Sequence, residues 1–416
     1  DIQAVREARW KIPVLPPSFR IVIDGPDEDQ RVVDSLVANV YLGTSRDAPS
    51  GPFGVSSEKY GRHIFWDSDI WMFPTFALTD PDRAAAVSRF RIQTWRDNSK
   101  GKFSPFAWET GRSGEDLTQK PHDRQIHVSG SVAFAIAHAS ALGLVSRDTA
   151  LQVGKSCDLF YRRRSKKSET GLFGLLNVVS PDEQRDNADN DLYTNLVAQW
   201  CSDFSSGRPF GTGQKVYDFP RDSETFLTYE DDSLSGYKQA AALLSVWPLQ
   251  YPECEREARQ LLGRFAGKTA PNGPAMSLSV EAIVQARFLD SDIAYQTWRG
   301  SWKNYTTEPD YDFHESPQGP SYFLTGACGC INTILYGFVG LRFNDKPTSR
   351  AASSLPLRDG WTLTVDPNLP KAWSSIRVEG LKVLGQRYTL RVTRTTAEFV
   401  PVLHPDDSAF IQGNRR

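Results

Sequence analysis

The chain has 416 residues, 24% of them charged, and a net charge of −2 with no long run of one sign. That length buries one large core or two to three ordinary ones, and the charge pattern excludes nucleic acid and anionic membranes as evident partners. No stretch approaches the roughly 20 apolar residues of a membrane span and no signal-peptide pattern opens the chain, so a soluble protein with a small neutral substrate is expected.

Asp1 rather than Met stands first, which leaves a removed leader open; the compartment, cytoplasmic or secreted, and the oligomeric state are not read from composition. Residues 28–44, 76–96, 126–145, 146–163, 191–206, 236–247, 252–266, 277–289 and 291–301 carry apolar positions at spacings of three and four, which predicts helices. The stretch 132–139 is apolar all round, as in a helix buried on most faces, whereas 82–91 is amphipathic. Loops rich in Gly, Pro, Asp and Asn separate them at 45–61, 98–124, 180–191, 206–232 and 305–320. Loops of that length in a compact domain are usually functional. Past Phe343 the pattern turns to period two at 361–365, 375–378, 381–384 and 388–392, which predicts short antiparallel strands. The expected architecture is mainly α: an (α/α)6 helical barrel over 1–345 with a short N-terminal lead-in, and a small antiparallel β appendage over 346–416. Five cysteines, at 157, 201, 254, 328 and 330, lack metal-ligand spacing and read as buried thiols.

Three segments carry chemistry. Residues 61–74, GRHIFWDSDIWMFP, place four aromatics and two carboxylates in the mouth of a helix. Sugars suit that mixture, since pyranose rings lay C–H faces on indoles while their hydroxyls need acceptors such as Asp67 and Asp69. A Trp-rich helix start that only packs into a core would look the same. Residues 180–191, SPDEQRDNADND, form a carboxylate-dense loop leading into a helix, where Asp189 to Asp191 suit an N-cap and Glu183 sits too early for one. Residues 311–323 place Glu315 among aromatics ahead of a small-residue helix, TGACGC at 325–330, that permits close backbone approach. Glycoside hydrolysis with inversion needs two carboxyl groups about 6.5 to 9.5 Å apart, one protonating the leaving oxygen and one activating water. Glu183 with Glu315 could be that pair, and spacing alone leaves Asp67 with Glu109 equally open.

Several ordered motifs resemble glycoside hydrolase family 65, which includes disaccharide phosphorylases, acid trehalases, kojibiose hydrolases and protein-glucosylgalactosylhydroxylysine glucosidases. The resemblance runs from about residue 28 to 345. Residues 65–74, 106–110, 126–130, 193–195 and the pair Lys238-Gln239 look like the family's glucose-binding motifs; 180–183 looks like the loop of its general acid, and 338–342 like the end of its helical domain. The resemblance implies an inverting exo-α-glucosidase with Glu183 as acid and Glu315 as base. It implies Trp66, Asp67, Trp108, Glu109, Lys238 and Gln239 around the glucosyl ring, and neither metal nor organic cofactor. Family phosphorylases carry a Ser-rich phosphate segment and no glutamate in the later loop. Here the segment Gly273-Pro-Ala-Met-Ser277 stands with Glu315, which resembles the hydrolase pattern, and a carboxylate at the water position repels phosphate.

The chain departs from the family at four places. Gln184 and Arg185 follow the acid where Tyr-His is usual, and an inward arginine there would lower the acid's pKa. Ala240 replaces the usual Asp after Lys238-Gln239, and His314 stands before the base where Thr is frequent, which alters the contacts expected for the leaving group. About 25 residues precede the match where relatives carry a β-sandwich. A sugar-binding non-hydrolase, a barrel repurposed in specialised metabolism and an α-glucoside phosphorylase are the alternatives.

Overall fold

The structure is a computed structural model in which residues 19–96, 104–169, 171–344 and 352–402 are described. Expectations for the first residues, for 97–103, for 345–351 and for the end of the chain beyond 402 lie outside the described residues. Outer and inner helices alternate. Outer α1 (Asp27–Gly43) leads to inner α2, a π-helical turn Ser68–Met72 that runs on into Phe73–Thr79. Outer α3 (Pro81–Thr94), inner α4 (His127–Ala141), outer α5 (Arg147–Arg164) and inner α6 (Leu192–Ser205) follow. A 3-10 turn, Ala242–Ser245, takes the fourth inner place. Then come outer α7 (Pro252–Arg256) and α8 (Ala258–Phe265), inner α9 (Ser277–Phe288), outer α10 (Ser291–Lys303) and inner α11, Leu324–Asn332 continuing as a π-helical stretch Thr333–Phe338. Successive inner elements pack on one another and α11 packs back on α2, which closes the ring.

Burial follows that order: every residue of α4 is buried, whereas α5 buries one stripe. Three predicted helices are corrected, 252–266 among them, which is two helices, Pro252–Arg256 and Ala258–Phe265, parted at Glu257. The stretch 76–96 is two helices, because the buried Asp80 accepts the Arg83 amide as N-cap and Pro81 opens the next helix. The stretch 236–247 is irregular except for its one 3-10 turn. Its Gln239 amide is bonded to Asp182 Oδ1 at 3.0 Å instead of to a carbonyl one turn back, so the helical ladder has no start there.

Past the barrel, β2 (Leu341–Asn344), β3 (Ser353–Pro356) and β4 (Thr362–Val365) form an antiparallel sheet in the order β2-β4-β3. Strands β5 (Ser375–Val383), β6 (Gln386–Thr393) and β7 (Ala397–Pro401) form a second one, and its fourth member is β1 (Arg20–Asp24), paired on β5. The two strands predicted at 375–378 and 381–384 are one strand; the register shifts between Tyr388 and Leu390, opposite Gly380 at φ 79°. The chain turns from α11 into β2 at Gly340, φ 72°, where a Cβ would lie 2.0 Å from the Asp366 carbonyl oxygen. Asp29 ties β-rich and helical parts together, accepting from Tyr295 Oη at 2.7 Å and Trp373 Nε1 at 2.8 Å. All five cysteines are free and buried, as expected. Among the described residues no helix is long and apolar enough to cross a membrane.

Candidate active site

The N-terminal ends of the inner elements and the loops before them surround a cleft of about 270 Å³. One wall is fixed by a buried ion pair: Arg91, 1% exposed, holds Asp69 at 2.5 Å and donates to the Phe65 carbonyl at 2.8 Å. Removing both charges from water is costly unless every partner is in place. The pair therefore sets the backbone from 65 to 69, which delivers Trp66 and Asp67 to the cleft. Asp67 Oδ1 accepts from Thr325 Oγ1 at 2.8 Å, linking α2 to α11. Burial lifts the Asp67 pKa to about 6 against the Thr325 hydrogen bond, and the charges of Glu183 and Glu315 add to the rise. Three carboxyls thus face one another across a small space.

Glu183 is held from behind by its own loop. Asp191 caps α6 through the Thr194 amide at 2.8 Å, and the Asp182 carboxyl, buried and raised to about 6 by desolvation, binds the Gln239 amide. Glu183 itself lies at φ 57°, a left-handed conformation that costs a non-glycine residue energy and tends to collect at functional sites. Gln125 Nε2 donates to its Oε1 at 2.9 Å and Lys238 Nζ to its Oε2 at 2.5 Å. The arginine expected beside the acid is elsewhere: Arg185 lies over the Tyr229 ring at 5.3 Å. The ammonium paired with Glu183 is that of Lys238, read from the sequence as a glucose contact.

Glu315 follows a two-residue β-ladder between Thr306–Thr307 and Asp312–Phe313. Its carbonyl accepts the Ala275 amide at 2.9 Å, which stitches the loop to the start of α9. The small residues of α11 allow this approach: a Cβ on Gly326 would sit 2.4 Å from the Phe313 ring and 2.8 Å from the Ala275 carbonyl oxygen. Tyr60 Oη donates to Glu315 Oε1 at 2.6 Å. Burial, then Glu315, raises the Tyr60 pKa far above that of an ordinary phenol, so the hydroxyl keeps its proton.

A continuous aromatic wall connects the two glutamate loops. Phe323 meets Phe53 at 5.3 Å, Phe53 meets Tyr60 at 5.9 Å, Tyr60 meets Phe65 at 5.7 Å and Phe65 meets Trp108 at 5.0 Å. Trp108 then stacks on His122 at 4.2 Å and 12°. His122 Nδ1 is 3.0 Å from Gln125 Nε2, the same nitrogen that reaches Glu183.

Seven of the residues singled out from sequence line this cleft: Trp66, Asp67, Trp108, Glu183, Lys238, Gln239 and Glu315. Two do not. Glu109 turns to His63 Nδ1 at 2.7 Å, and both ring nitrogens of His314 are taken, by the Gly319 carbonyl at 2.9 Å and Thr307 Oγ1 at 3.0 Å. Sequence reading missed Tyr60, His122, Gln125 and Thr325, although Tyr60 and Gln125 each stand beside a quoted motif. Among the described residues no group of three His, Cys, Asp or Glu could hold a metal ion.

The model of the glycosyl hydrolase family 65 central catalytic domain matches residues 36–206, and that of the family's C-terminal domain matches 357–401, together more than half of the chain. The chain belongs to glycoside hydrolase family 65. Glu183 lies inside the first matched segment and Glu315 between the two. Among family 65 relatives, the chain is 28% identical to mouse (Mus musculus) protein-glucosylgalactosylhydroxylysine glucosidase, covering 85% of this chain and 54% of that one. It is 27% identical to a kojibiose hydrolase of Flavobacterium johnsoniae, covering 89% and 56%. It is also 27% identical to a periplasmic/secreted acid trehalase of Candida glabrata, covering 84% and 32%. The chain thus spans about half the length of the first two relatives. A solved structure named as a candidate kojibiose phosphorylase from the human microbiome superposes with a TM-score of 0.70 at 16% identity, over 92% of this chain and 60% of that one, and so shares its fold.

Proposed function

We propose that this family 65 chain is an inverting exo-α-glucosidase acting on a disaccharide or an α-glucosylated conjugate. The observation that carries the reading is the convergence of Glu183 and Glu315, from separate loops, on one cleft that also holds the buried Asp67. In the reaction, Glu315 takes a proton from water as its oxygen bonds to the anomeric carbon, the glycosidic bond breaks, and the leaving oxygen receives the proton of Glu183. Tyr60 fixes the orientation of Glu315, and its hydroxyl, 2.6 Å from Oε1, leaves the other oxygen free for water. Trp66 and Asp67 offer the glucosyl ring a flat apolar face and an acceptor. Lys238 has two roles: it pairs with Glu183, and by turning to the sugar hydroxyls of a substrate it frees Oε2 to carry the proton. The Trp108–His122 stack adjoins Glu183 through Gln125, so it belongs to the side of the leaving group.

Curated relatives named as glucosidase, kojibiose hydrolase and acid trehalase support hydrolysis over phosphorolysis, as does a carboxylate at the place a phosphate would need. The test is NMR of the protein with trehalose, kojibiose, nigerose, maltose and glucosyl-galactose, with and without phosphate. Release of β-glucose without phosphate is expected. β-Glucose 1-phosphate would replace the reading by a phosphorylase, and no turnover on the whole panel would favour a sugar-binding or repurposed barrel.

A further inference from the structure

A second cavity, about 120 Å³, opens at the opposite end of the barrel, where α4 and α6 finish and α5 begins. α4 is 15 residues long, so at 1.5 Å per residue the two openings lie about 22 Å apart. Ser140, Trp200, Arg147, Arg208, Asp359 and Trp361 line it. Both arginines are already matched: Arg147 Nη1 lies 3.1 Å from Asp359 Oδ1, and Arg208 Nε lies 3.3 Å from Asp203 Oδ1. The mouth therefore presents guanidinium donors and a carboxylate acceptor with little net charge. Ser140, 4% exposed, lines it with a hydroxyl oxygen that has no hydrogen-bond partner, and a buried polar group left in that state costs free energy until something meets it. The apolar part is aromatic: Trp200 stacks on Phe204 at 4.8 Å and 15°, and the half-buried Trp361 meets His138 edge-on at 5.1 Å.

We infer that this cavity is a non-catalytic binding site for a single neutral pyranose unit, free or at the end of a glycan. A phosphate or carboxylate would need uncompensated positive charge, and both guanidinium groups already have a carboxylate. A purely apolar ligand would leave Ser140 and the paired charges unmet. A pyranose satisfies both demands, since it stacks a C–H face on an indole and offers hydroxyls that both donate and accept. The site stands apart from the cleft, and its existence does not depend on which bond the enzyme cuts.

The experiment follows indole N–H signals by NMR in the full chain carrying Glu183→Gln, titrated with glucose and, separately, with inorganic phosphate. Trp361 is assigned through Trp361→Phe. Glucose is expected to shift the Trp361 signal saturably with a Kd on the order of 1 mM, while phosphate does not. In Arg147→Gln and in Asp359→Asn, which keeps a residue type tolerated at φ 59°, that Kd should rise about fivefold or more. The shifts of Trp66 and Trp108 in the cleft should be unchanged. A Trp361 signal that ignores glucose, one that responds to phosphate instead, or a glucose response indifferent to both substitutions would each overturn the inference. Failure of the catalytic reading would appear separately, at Trp66 and Trp108 and in turnover.

Discussion

The two ends of the barrel are built from the same inner helices and differ in almost every physical respect. At the end where those helices start, backbone N–H groups and the positive ends of helix dipoles look into the cleft, an environment that favours oxygen atoms of carboxylates and sugars. Loops there are long, and Tyr60, Glu183 and Tyr322 all take left-handed backbone angles. At the end where the helices finish, the space is largely filled by Phe134, Trp247, Tyr336 and Phe343, leaving a cavity of about 50 Å³, and the neighbouring opening holds charges that are already paired. One end gathers carboxyls and their hydrogen-bond partners around an open space; the other gives most of its side chains to packing. The difference teaches where sequence changes should alter rate and where they should alter stability.

Glu183→Gln and Glu315→Gln test that contrast most severely. Each should lower turnover by about 10²- to 10⁴-fold, the usual contribution of a general acid or base, with an unchanged far-UV circular dichroism spectrum. Either variant retaining turnover within tenfold of the parent would falsify that residue's role. At the other end, Phe343→Ala should cost about 3 to 5 kcal/mol in urea unfolding while KM stays put; a changed KM with intact stability would mean the ends are not separate. Asp67→Asn should act in both currencies. Its folded pKa of about 6 lies above the 3.8 of an ordinary aspartate, so the ionised carboxyl lowers stability at neutral pH, and that cost vanishes as the pH falls through 6 toward 4. The variant should therefore gain up to about 3 kcal/mol at pH 7 and nothing near pH 4, while losing sugar affinity. Equal melting curves at pH 7 would show that Asp67 is not charged in a dry site. Tyr60→Phe, which removes one hydrogen bond to a carboxylate, should reduce kcat about tenfold and leave KM nearly constant. Arg185→Ala should be the mildest, costing about 0.5 to 1 kcal/mol for its contact with Tyr229, with kcat close to that of the parent; a large change in kcat would place this side chain at the acid after all.

Much of the ring was legible because its signals are local. The uniformly apolar run around 132–139 can only be a helix buried on all sides, and Asp191 before Leu192 is a cap whatever surrounds it. Two of the misreadings come from long-range bonds that outrank local preference, whereas the break in 76–96 is a local one at the Asp80 cap and Pro81. Residues 236–247 have helical composition, but Asp182 takes the Gln239 amide from 57 positions away. β1 reads as a lead-in because its pairing partner is not nearby in the chain. In the site, Glu183 and Glu315 were singled out by resemblance, while their neighbours came only from three dimensions. Glu109 sits within a recognisable motif and still turns to His63, and Tyr60 reaches a glutamate 255 positions on. Arg185 stands two positions after Glu183 in sequence and is not its partner in space, because its loop bends at Glu183.

The pairing of β1 with β5 has a consequence for how the molecule is made. Arg20 lies opposite Glu379, and Asp24 opposite Ser375, so the first described strand leaves the ribosome long before the strand it will join. During most of synthesis its hydrogen-bonding edge is open, beside a ring of helices that cannot close until α11 arrives. Chains arrested before β5 emerges would carry an exposed β edge of the kind that chaperones shield and neighbouring nascent chains can capture.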